Sequence, residues 1–248
     1  MGMPKLHYGA TTDVGRVRTV NEDSYLAAPP VFVVADGMGG HSGGDVASRI
    51  VVEEFAALTD SELDPRAGAA AIEELLDRAQ ARINQYGVEQ RETEADQWYA
   101  GTTAVVALLV HDDDPKWLLA NLGDSRIYRF FDGVLEQVSV DHSLVQELVD
   151  AGTIGVEEMA THPERHVVTR ALGGPDGAEA DYFLLPVASV ERLLLCSDGI
   201  NAMIGDDVIE ELLAEATDPR DAADRVVAAA LEAGGHDNAT AVVVDVIG

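Results

Sequence analysis

Two aspartates follow short apolar runs and precede a glycine, an arrangement that suits a metal ligand. Asp36-Gly37 comes directly after Val31–Ala35, and Ser197-Asp198-Gly199 comes after Arg192–Cys196. The aliphatic runs predict buried strands, and glycine can end a strand because it permits positive φ and close backbone approach. A carboxylate at a rigid strand end, beside an exposed glycine carbonyl, can bind a hard cation. Asp-Gly is also an ordinary turn signal, so either dipeptide alone leaves both interpretations open.

Further acidic residues lie at predicted strand ends or turns elsewhere in the chain. The whole set comprises Glu22, Asp23, Asp36, Asp124, Asp198 and Asp237. A site built only from oxygen ligands favours Mg²⁺ or Mn²⁺ over Zn²⁺. So many carboxylates in one place would repel one another unless cations neutralised them. Two such ions about 3.5–4 Å apart, bridged by one carboxylate, are the usual arrangement for hydrolysis of a phosphate ester.

Arg18 is the cation nearest to Glu22 in the sequence. If residues 17–23 are extended, Arg18 and Glu22 lie on the same face, because side chains alternate along an extended chain. A guanidinium in this position could bind phosphate beside a metal-bound carboxylate. A surface ion pair of little energetic value is the alternative, and the sequence leaves both open.

The composition limits the classes of partner. The 248 residues carry a formal net charge of −29, and Lys5 and Lys116 are the only lysines. Nucleic acid and anionic membranes are therefore not expected partners, since binding phosphate groups requires clustered cations. Most of the carboxylates are expected to form a solvated surface.

Cysteine usage and the short apolar runs predict a soluble, cytoplasmic protein. Cys196 is the only cysteine, so no intramolecular disulfide can form, which fits a reducing compartment. No secretory signal is recognisable after Met1, and no apolar run is long enough to span a bilayer. We expect one domain over residues 1–248.

The hydrophobic pattern places helices in pairs and strands in separate groups. Helical spacing predicts helices over 43–59 and 69–86, and again over 206–216 and 218–233. The predicted strands are 6–10, 31–35, 102–110, 116–122, 126–131, 134–138, 182–187, 192–196 and 239–247. This grouping predicts an α+β fold, a four-layer α-β-β-α sandwich of two antiparallel sheets flanked by helix pairs.

The connecting segments carry turn signals. Asp132-Gly133 predicts a hairpin, and the aspartate-rich segment 111–115 predicts a solvated hairpin tip, since no Gly or distal Glu completes a calcium loop. A short helix is predicted over 144–151. Residues 153–174 lack a periodic pattern and predict an excursion over the surface.

Taken in order, the motifs resemble the metal-dependent serine/threonine protein phosphatases of the PP2C (PPM) family in their compact bacterial form. The matching stretches run from near the N-terminus almost to the last residue, so the resemblance covers the whole chain. They are VRTVNEDS (17–24), VADGMGGH (34–41), GTTA (101–104), NLGDSR (121–126), DHS (141–143), SDG (197–199) and GHDNAT (235–240).

The resemblance implies a site for two Mn²⁺ or Mg²⁺ ions at one end of a β-sandwich. Asp36 would bridge the two ions. Glu22 and the Gly37 carbonyl would serve one ion, partly through water, while Asp198 and Asp237 would serve the other. A water bridging the ions would attack phosphoserine or phosphothreonine directly.

Other residues acquire supporting roles by the same resemblance. Asp23 would support the metal ligands, and Asp124 with Asp198 would hold a possible third ion. Arg18 matches the phosphate-binding arginine. Residues 143–174 match a flap segment near the site that influences substrate choice.

One position departs from the family pattern. Some members place a histidine directly after the metal-binding Asp-Gly as general acid, but this chain has Met38, which cannot transfer a proton. His41 is the nearest substitute, and a metal-bound water is the alternative proton source. His142, His162 and His166 are expected to be structural or surface groups.

Other functions are less compatible with these residues. A cysteine phosphatase needs Arg six positions after its Cys, and Ala202 stands six after Cys196. No Gly-x-Ser-x-Gly serine elbow is present. A non-catalytic regulator of the same fold should have lost metal carboxylates, and a cation buffer would scatter them on loops. The expected partners are phosphoproteins, opposite a serine/threonine kinase, and the expected state is a monomer.

Overall fold

The computed structural model describes residues 4–39, 43–91, 100–174 and 179–247. Two 5-stranded antiparallel sheets dominate the fold, in the strand orders β1-β12-β11-β8-β9 and β10-β7-β6-β3-β2, and β4 pairs with β5. The strands are β1 Lys5–Asp13, β2 Ser24–Ala28, β3 Val31–Ala35, β4 Gly37–Met38, β5 Gly101–Thr102, β6 Ala104–His111, β7 Pro115–Leu122, β8 Arg126–Phe131, β9 Val134–Gln137, β10 Asp181–Pro186, β11 Arg192–Cys196 and β12 Ala239–Ile247.

Helices cover the outer faces of both sheets. The α-helices are α1 Gly44–Phe55, α2 Pro65–Arg91, α3 Leu144–Asp150, α4 Asp198–Asn201, α5 Asp206–Glu215 and α6 Pro219–Glu232. Short 3₁₀ helices span Ala56–Leu58, Val156–Thr161 and Val187–Ser189. In the described residues, no helix combines the length and the apolar character needed to cross a membrane.

Strand alternation explains the four layers. In β3, Val31 and Val33 pack with the helices α1 and α2, while Phe32 and Val34 pack against the opposite sheet. Successive side chains of a strand point to opposite faces, so one fully buried strand contributes to two apolar layers. A third layer joins α5 and α6 to the outer face of the β11–β12 sheet. The predicted α+β sandwich is therefore confirmed.

Helix capping follows the sequence signals. Asp64 Oδ1 accepts hydrogen bonds from the backbone N–H groups of Arg66 and Ala67 at the start of α2. Asp218 caps α6 in the same way, ahead of Pro219. Both caps satisfy N–H groups that have no partner inside the helix, and proline is favoured there because it has none to satisfy.

The hairpin signals also hold. Asp132 and Gly133 have φ values of 52° and 77°, the left-handed conformation that a two-residue hairpin turn requires. Residues 112–114 are exposed at the β6–β7 turn, where Asp112 pairs with Lys116 at 2.5 Å. The aspartate run is thus a solvated hairpin tip, as predicted.

Some local details differ from what the sequence pattern indicates. Residues 17–23 are irregular rather than extended, and β2 follows them where no strand was predicted. The helix α2 spans Pro65–Arg91 and so extends beyond both ends of the predicted helix over 69–86. Ser197-Asp198-Gly199 leads into the short helix α4 rather than a turn. Strands β7 and β8 belong to different sheets, because 123–125 carries the chain across the sandwich.

Replacing the cap of α6 tests how the outer helix is held. We expect Asp218→Ala to lower the free energy of unfolding by about 1 kcal/mol, because two backbone N–H groups lose their acceptor. Urea denaturation measures this change. Asp113→Ala, at the exposed hairpin tip, is the matched control and should have almost no effect. An equal loss in both variants would show that the cap is not the cause.

Candidate metal centre

A cavity of about 520 Å³ lies where β3, β7 and β11 end. It gathers residues from distant parts of the chain, including most of those that the sequence singled out. The predicted site residues in its lining are Arg18, Glu22, Asp36, Gly37, Asp124, Asp198 and Asp237. Asp23 is not part of the lining, and His41 lies outside the described residues.

Asp36 is fixed through its backbone. Its N–H donates to Thr103 Oγ1 at 3.0 Å, and its carbonyl accepts from the Thr103 N–H at 2.9 Å and from Thr102 Oγ1 at 3.0 Å. Burial raises the pKa of Asp36 well above its ordinary value, and the charges of Asp23 and Asp198 raise it further. The strand end therefore holds a carboxyl group in a place where ionisation is costly.

Asp198 meets Asp36 although the two lie far apart in the sequence. Both side chains line the same cavity, and the charge of Asp198 raises the pKa of Asp36. Burial raises the pKa of Asp198, and the charge of Asp237 raises it further. These aspartates are thus close enough to compete for the same positive charge.

Glu22 fits a narrow space between two glycines. A Cβ on Gly37 would lie 2.3 Å from the Gly44 carbonyl oxygen and 2.5 Å from that of Glu22. A Cβ on Gly44 would lie 2.7 Å from Glu22 Oε1. Burial raises the pKa of Glu22, whereas the Arg18 charge lowers it. Only glycine at both positions allows this approach.

Asp124 enters the cavity from the segment that crosses between the sheets. Gly123 has a φ of 116° and packs on Thr103, whose hydroxyl lies 2.7 Å from Ser125 Oγ. Burial raises the pKa of Asp124 to about 7, helped by the charge of Asp198. The contacts of Thr103 therefore hold Asp36 and Asp124 in a fixed relation.

Arg18 contacts a different carboxylate from the one expected. Its Nη2 donates to Asp237 Oδ2 at 2.7 Å, and half of its side chain is exposed. The expected face shared with Glu22 assumed an extended chain, which the irregular segment 17–23 does not form. Both residues still line the cavity. Arg18 is accordingly the cation that faces the acidic group.

Asp23 lies behind the cavity. Its Oδ2 accepts hydrogen bonds from Ser197 Oγ at 2.7 Å and Thr240 Oγ1 at 2.6 Å. Burial raises its pKa to about 7, and its Oδ1 has no hydrogen-bond partner. Because Ser197 precedes Asp198, this carboxyl group braces the end of β11.

Besides Met38, the cavity lining includes residues that the sequence did not assign to the metal site: Gly39, Thr103, His166, Val168 and His236. His166, expected to be a structural or surface group, is exposed and also borders the cavity. Thr103 was visible only as part of the GTTA motif, and His166 belongs to a segment without periodicity. By contrast, His142 is structural as expected, since it is buried and accepts from the Gly123 N–H through Nδ1 at 3.1 Å.

The donor chemistry fits a hard divalent cation. The carboxylates and the Gly37 carbonyl offer oxygen only, and the raised pKa values show mutual repulsion in a buried place. Within the described ranges, no three His, Cys, Asp or Glu side chains already have the spacing of a complete metal site. The oxygen-bearing side chains nevertheless line one cavity.

A second cavity of about 300 Å³ adjoins the first. Both are lined by Asp124, Asp198 and His166. Val156 and Met159, from the 3₁₀ helix after α3, contribute apolar lining to the second. The segment 143–174 therefore borders the acidic cavity on one side.

Comparison with known proteins points to one family. The model for protein phosphatase 2C matches residues 16–234. The serine/threonine phosphatase stp of Listeria monocytogenes is 37% identical over 247 residues, covering 97% of this chain and 96% of that protein. The serine/threonine protein phosphatase PstP of Mycobacterium tuberculosis is 39% identical over 98% of this chain, which spans 45% of its length.

Solved structures show the same fold. The crystal structure of Mycobacterium tuberculosis PstP/Ppp has a TM-score of 0.84 at 37% identity, covering 98% of this chain and 99% of that one. The catalytic domain of PstP in complex with 2 manganese ions has a TM-score of 0.81 at the same identity and coverage. The likeness thus extends over nearly the whole chain.

The raised pKa values have a consequence for stability after removal of divalent ions. The ordinary pKa of Asp23 and Asp124 is 3.8, and in the folded protein it is about 7. Between these values the folded state binds more protons than the unfolded state, so stability falls as the pH rises. This contribution is fully present below about pH 4 and is lost as the pH passes about 7.

We therefore expect the chelator-treated protein to unfold more easily in urea at about pH 8 than at about pH 5. Asp23→Asn should flatten part of this slope, because it removes one of the titrating groups. Mn²⁺ added at the higher pH should restore stability by binding the folded state. A stability that rises between these pH values would contradict the proposed cause.

Proposed function

The chain belongs to the protein phosphatase 2C family and is a protein serine/threonine phosphatase; on that premise, we propose that it acts by a two-metal mechanism with direct attack of water. The observation that carries the proposal is the convergence of Asp36, Asp198 and Asp237 on the lining of one cavity. When bound, two divalent ions supply an acidified water and neutralise charge on the phosphoryl oxygens.

We assign the ligands by their place in the cavity. Asp36, whose pKa is raised by burial and by the charges of Asp198, Asp124 and Asp237, is the proposed bridge. Glu22 and the Gly37 carbonyl, which pack together, would hold one ion. Asp198 and Asp237, whose charges interact, would hold the other. Manganese is the ion for which a solved relative gives support, and magnesium has the same preference for oxygen.

A third ion is a further proposal. Asp124 and Asp198 line both cavities and raise each other's cost of ionisation, so a cation between them would relieve the repulsion. Asp23 is not a lining residue of either cavity and would act by holding Ser197, and through it the end of β11.

Arg18 is the proposed phosphate-binding residue. Its guanidinium borders the cavity, is half-exposed and pairs with Asp237 at 2.7 Å. An arginine can exchange a carboxylate for a phosphate because both accept paired N–H donors. Binding there would orient the phosphoryl group and offset charge that develops as the ester bond breaks.

The segment 143–174 is proposed as a flap that faces the bound protein substrate. His166 and Val168 line the acidic cavity, and Val156 and Met159 line the adjoining one. A phosphoserine or phosphothreonine held at Arg18 would place neighbouring substrate residues beside these side chains. We further propose a monomer that opposes a serine/threonine kinase.

Removing the ions or one carboxylate tests the mechanism. We expect phosphopeptide hydrolysis to stop after chelation, and to return with Mn²⁺ or Mg²⁺ but not with Zn²⁺. Asp198→Asn should lower kcat by roughly 10²-fold or more, since it removes a group that holds charge at the reacting centre. Asp207→Asn, exposed in α5, is the control. Full activity without divalent ions would refute the two-metal proposal.

A second test concerns the proton for the leaving oxygen. Met38 lines the cavity but cannot donate, so we propose His41 as the general acid. We expect His41→Ala to slow hydrolysis of a phosphoserine peptide by about 10²-fold, while hydrolysis of p-nitrophenyl phosphate changes little, because nitrophenolate leaves without a proton. His166→Ala and His236→Ala are the comparison variants. Equal loss on both substrates would contradict the assignment to His41.

A further inference from the structure

The segment 14–23 carries two proposed site residues without any regular secondary structure. It joins β1 to β2 and includes Arg18 and Glu22. Regular ladder bonds cannot fix its position, so other contacts must do so. One is the bond from the Arg16 N–H to the Gly235 carbonyl at 2.7 Å. The segment is therefore held from the opposite end of the chain.

Asn238 provides three further bonds to this segment. Its Oδ1 accepts from the Glu22 N–H, 216 positions away, at 2.8 Å. Its Nδ2 donates to the Val14 carbonyl at 2.9 Å and to the Val20 carbonyl at 3.0 Å. A primary amide is the short neutral group that offers two donors and an acceptor together. All three bonds reach backbone groups, so they fix the path of the segment itself.

The backbone of Asn238 touches the other side of the site. Its N–H donates to Asp237 Oδ1 at 2.9 Å. Its carbonyl oxygen lies so close to Gly199 that a Cβ on that residue would be 1.9 Å away. Asn238 is also buried, with 5% of its surface exposed. It thus lies between the segment of Arg18 and Glu22 and the neighbours Asp237 and Asp198.

We propose that Asn238 is a positioning residue for the phosphatase reaction. Its hydrogen bonds set the distance from Arg18 and Glu22 on one side of the site to Asp237 and Asp198 on the other. It touches no substrate and acts through the backbone that it holds. The inference rests on the proposed function for its effect on turnover. The attachment itself depends only on the three side-chain bonds.

The variant Asn238→Asp changes the fewest atoms. The carboxylate keeps an acceptor for Glu22 but loses both donors, and it sets a negative oxygen against two carbonyl groups. We expect segment 14–23 to exchange its amide hydrogens faster. We also expect weaker Mn²⁺ binding by calorimetry and a fall in kcat/KM of about tenfold or more on p-nitrophenyl phosphate. Asn84→Asp, on the exposed side of α2, is the matched control.

A double variant separates positioning from general destabilisation. Part of the expected fall in kcat/KM is a higher KM, because Arg18 is misplaced in Asn238→Asp. If Asn238 acts through Arg18, this increase in KM should be much smaller when Arg18→Ala is already present. Val226→Ala, buried in α6, should lower the melting temperature without changing KM or Mn²⁺ affinity. If Asn238→Asp does not fold, Asn238→Ser, which adds no charge, replaces it in the same measurements.

Two results would overturn the proposal. One is a variant of Asn238 with wild-type exchange in segment 14–23. The other is a variant that melts earlier yet keeps the KM and Mn²⁺ affinity of the wild type. Failure of the proposed function is distinguishable, because the wild-type protein would then lack Mn²⁺-dependent hydrolysis while the exchange experiment would still report on the attachment.

Discussion

Buried carboxylates of like charge cannot all ionise without a compensating cation, and this constraint governs the site. Asp36, Asp124 and Asp198 are partly buried around one cavity, and burial is the largest cause of each raised pKa. A fold that gained nothing from these groups would be more stable with apolar residues in their place. The presence of these three carboxylates in one cavity is explained if the site binds cations.

The scaffold meets this constraint by rigid strand ends and by side chains that hold backbone. Asp36 and Asp198 follow fully buried strands, so their Cα positions are set by the two sheets. Thr103 fixes Asp36 relative to Asp124, Asp23 braces Ser197, and Asn238 holds the irregular segment that carries Arg18. The folded framework therefore keeps the carboxylates close together despite their repulsion, and a bound cation relieves that repulsion.

The sequence predicted the features that depend on local patterns. The buried strand Val31–Ala35 and the turn at Asp132-Gly133 each follow from neighbouring residues. The irregular path of 17–23 could not be predicted, because its partners Gly235 and Asn238 are more than two hundred positions away. The crossing at 123–125 was missed for a related reason: a Gly-Asp-Ser turn looks the same within one sheet or between two.

The candidate site was predicted in part by residue type and in part by resemblance. Asp-Gly after an apolar run marked Asp36 and Asp198, but their convergence depends on the tertiary packing of two sheets. No pattern marked the contact of Arg18 with Asp237, since it joins an irregular loop to the start of β12. The role of Asn238 could not be predicted either. In the sequence, a loop asparagine that is exposed cannot be told from one that makes three buried hydrogen bonds.

Anomalous X-ray scattering from crystals grown with Mn²⁺ tests the central claim most directly. We expect manganese peaks inside the acidic cavity, within ligand distance of oxygens from Asp36, Asp198 and Asp237. Peaks confined to exposed acidic residues, with these three side chains bound to no ion at saturating Mn²⁺, would contradict it.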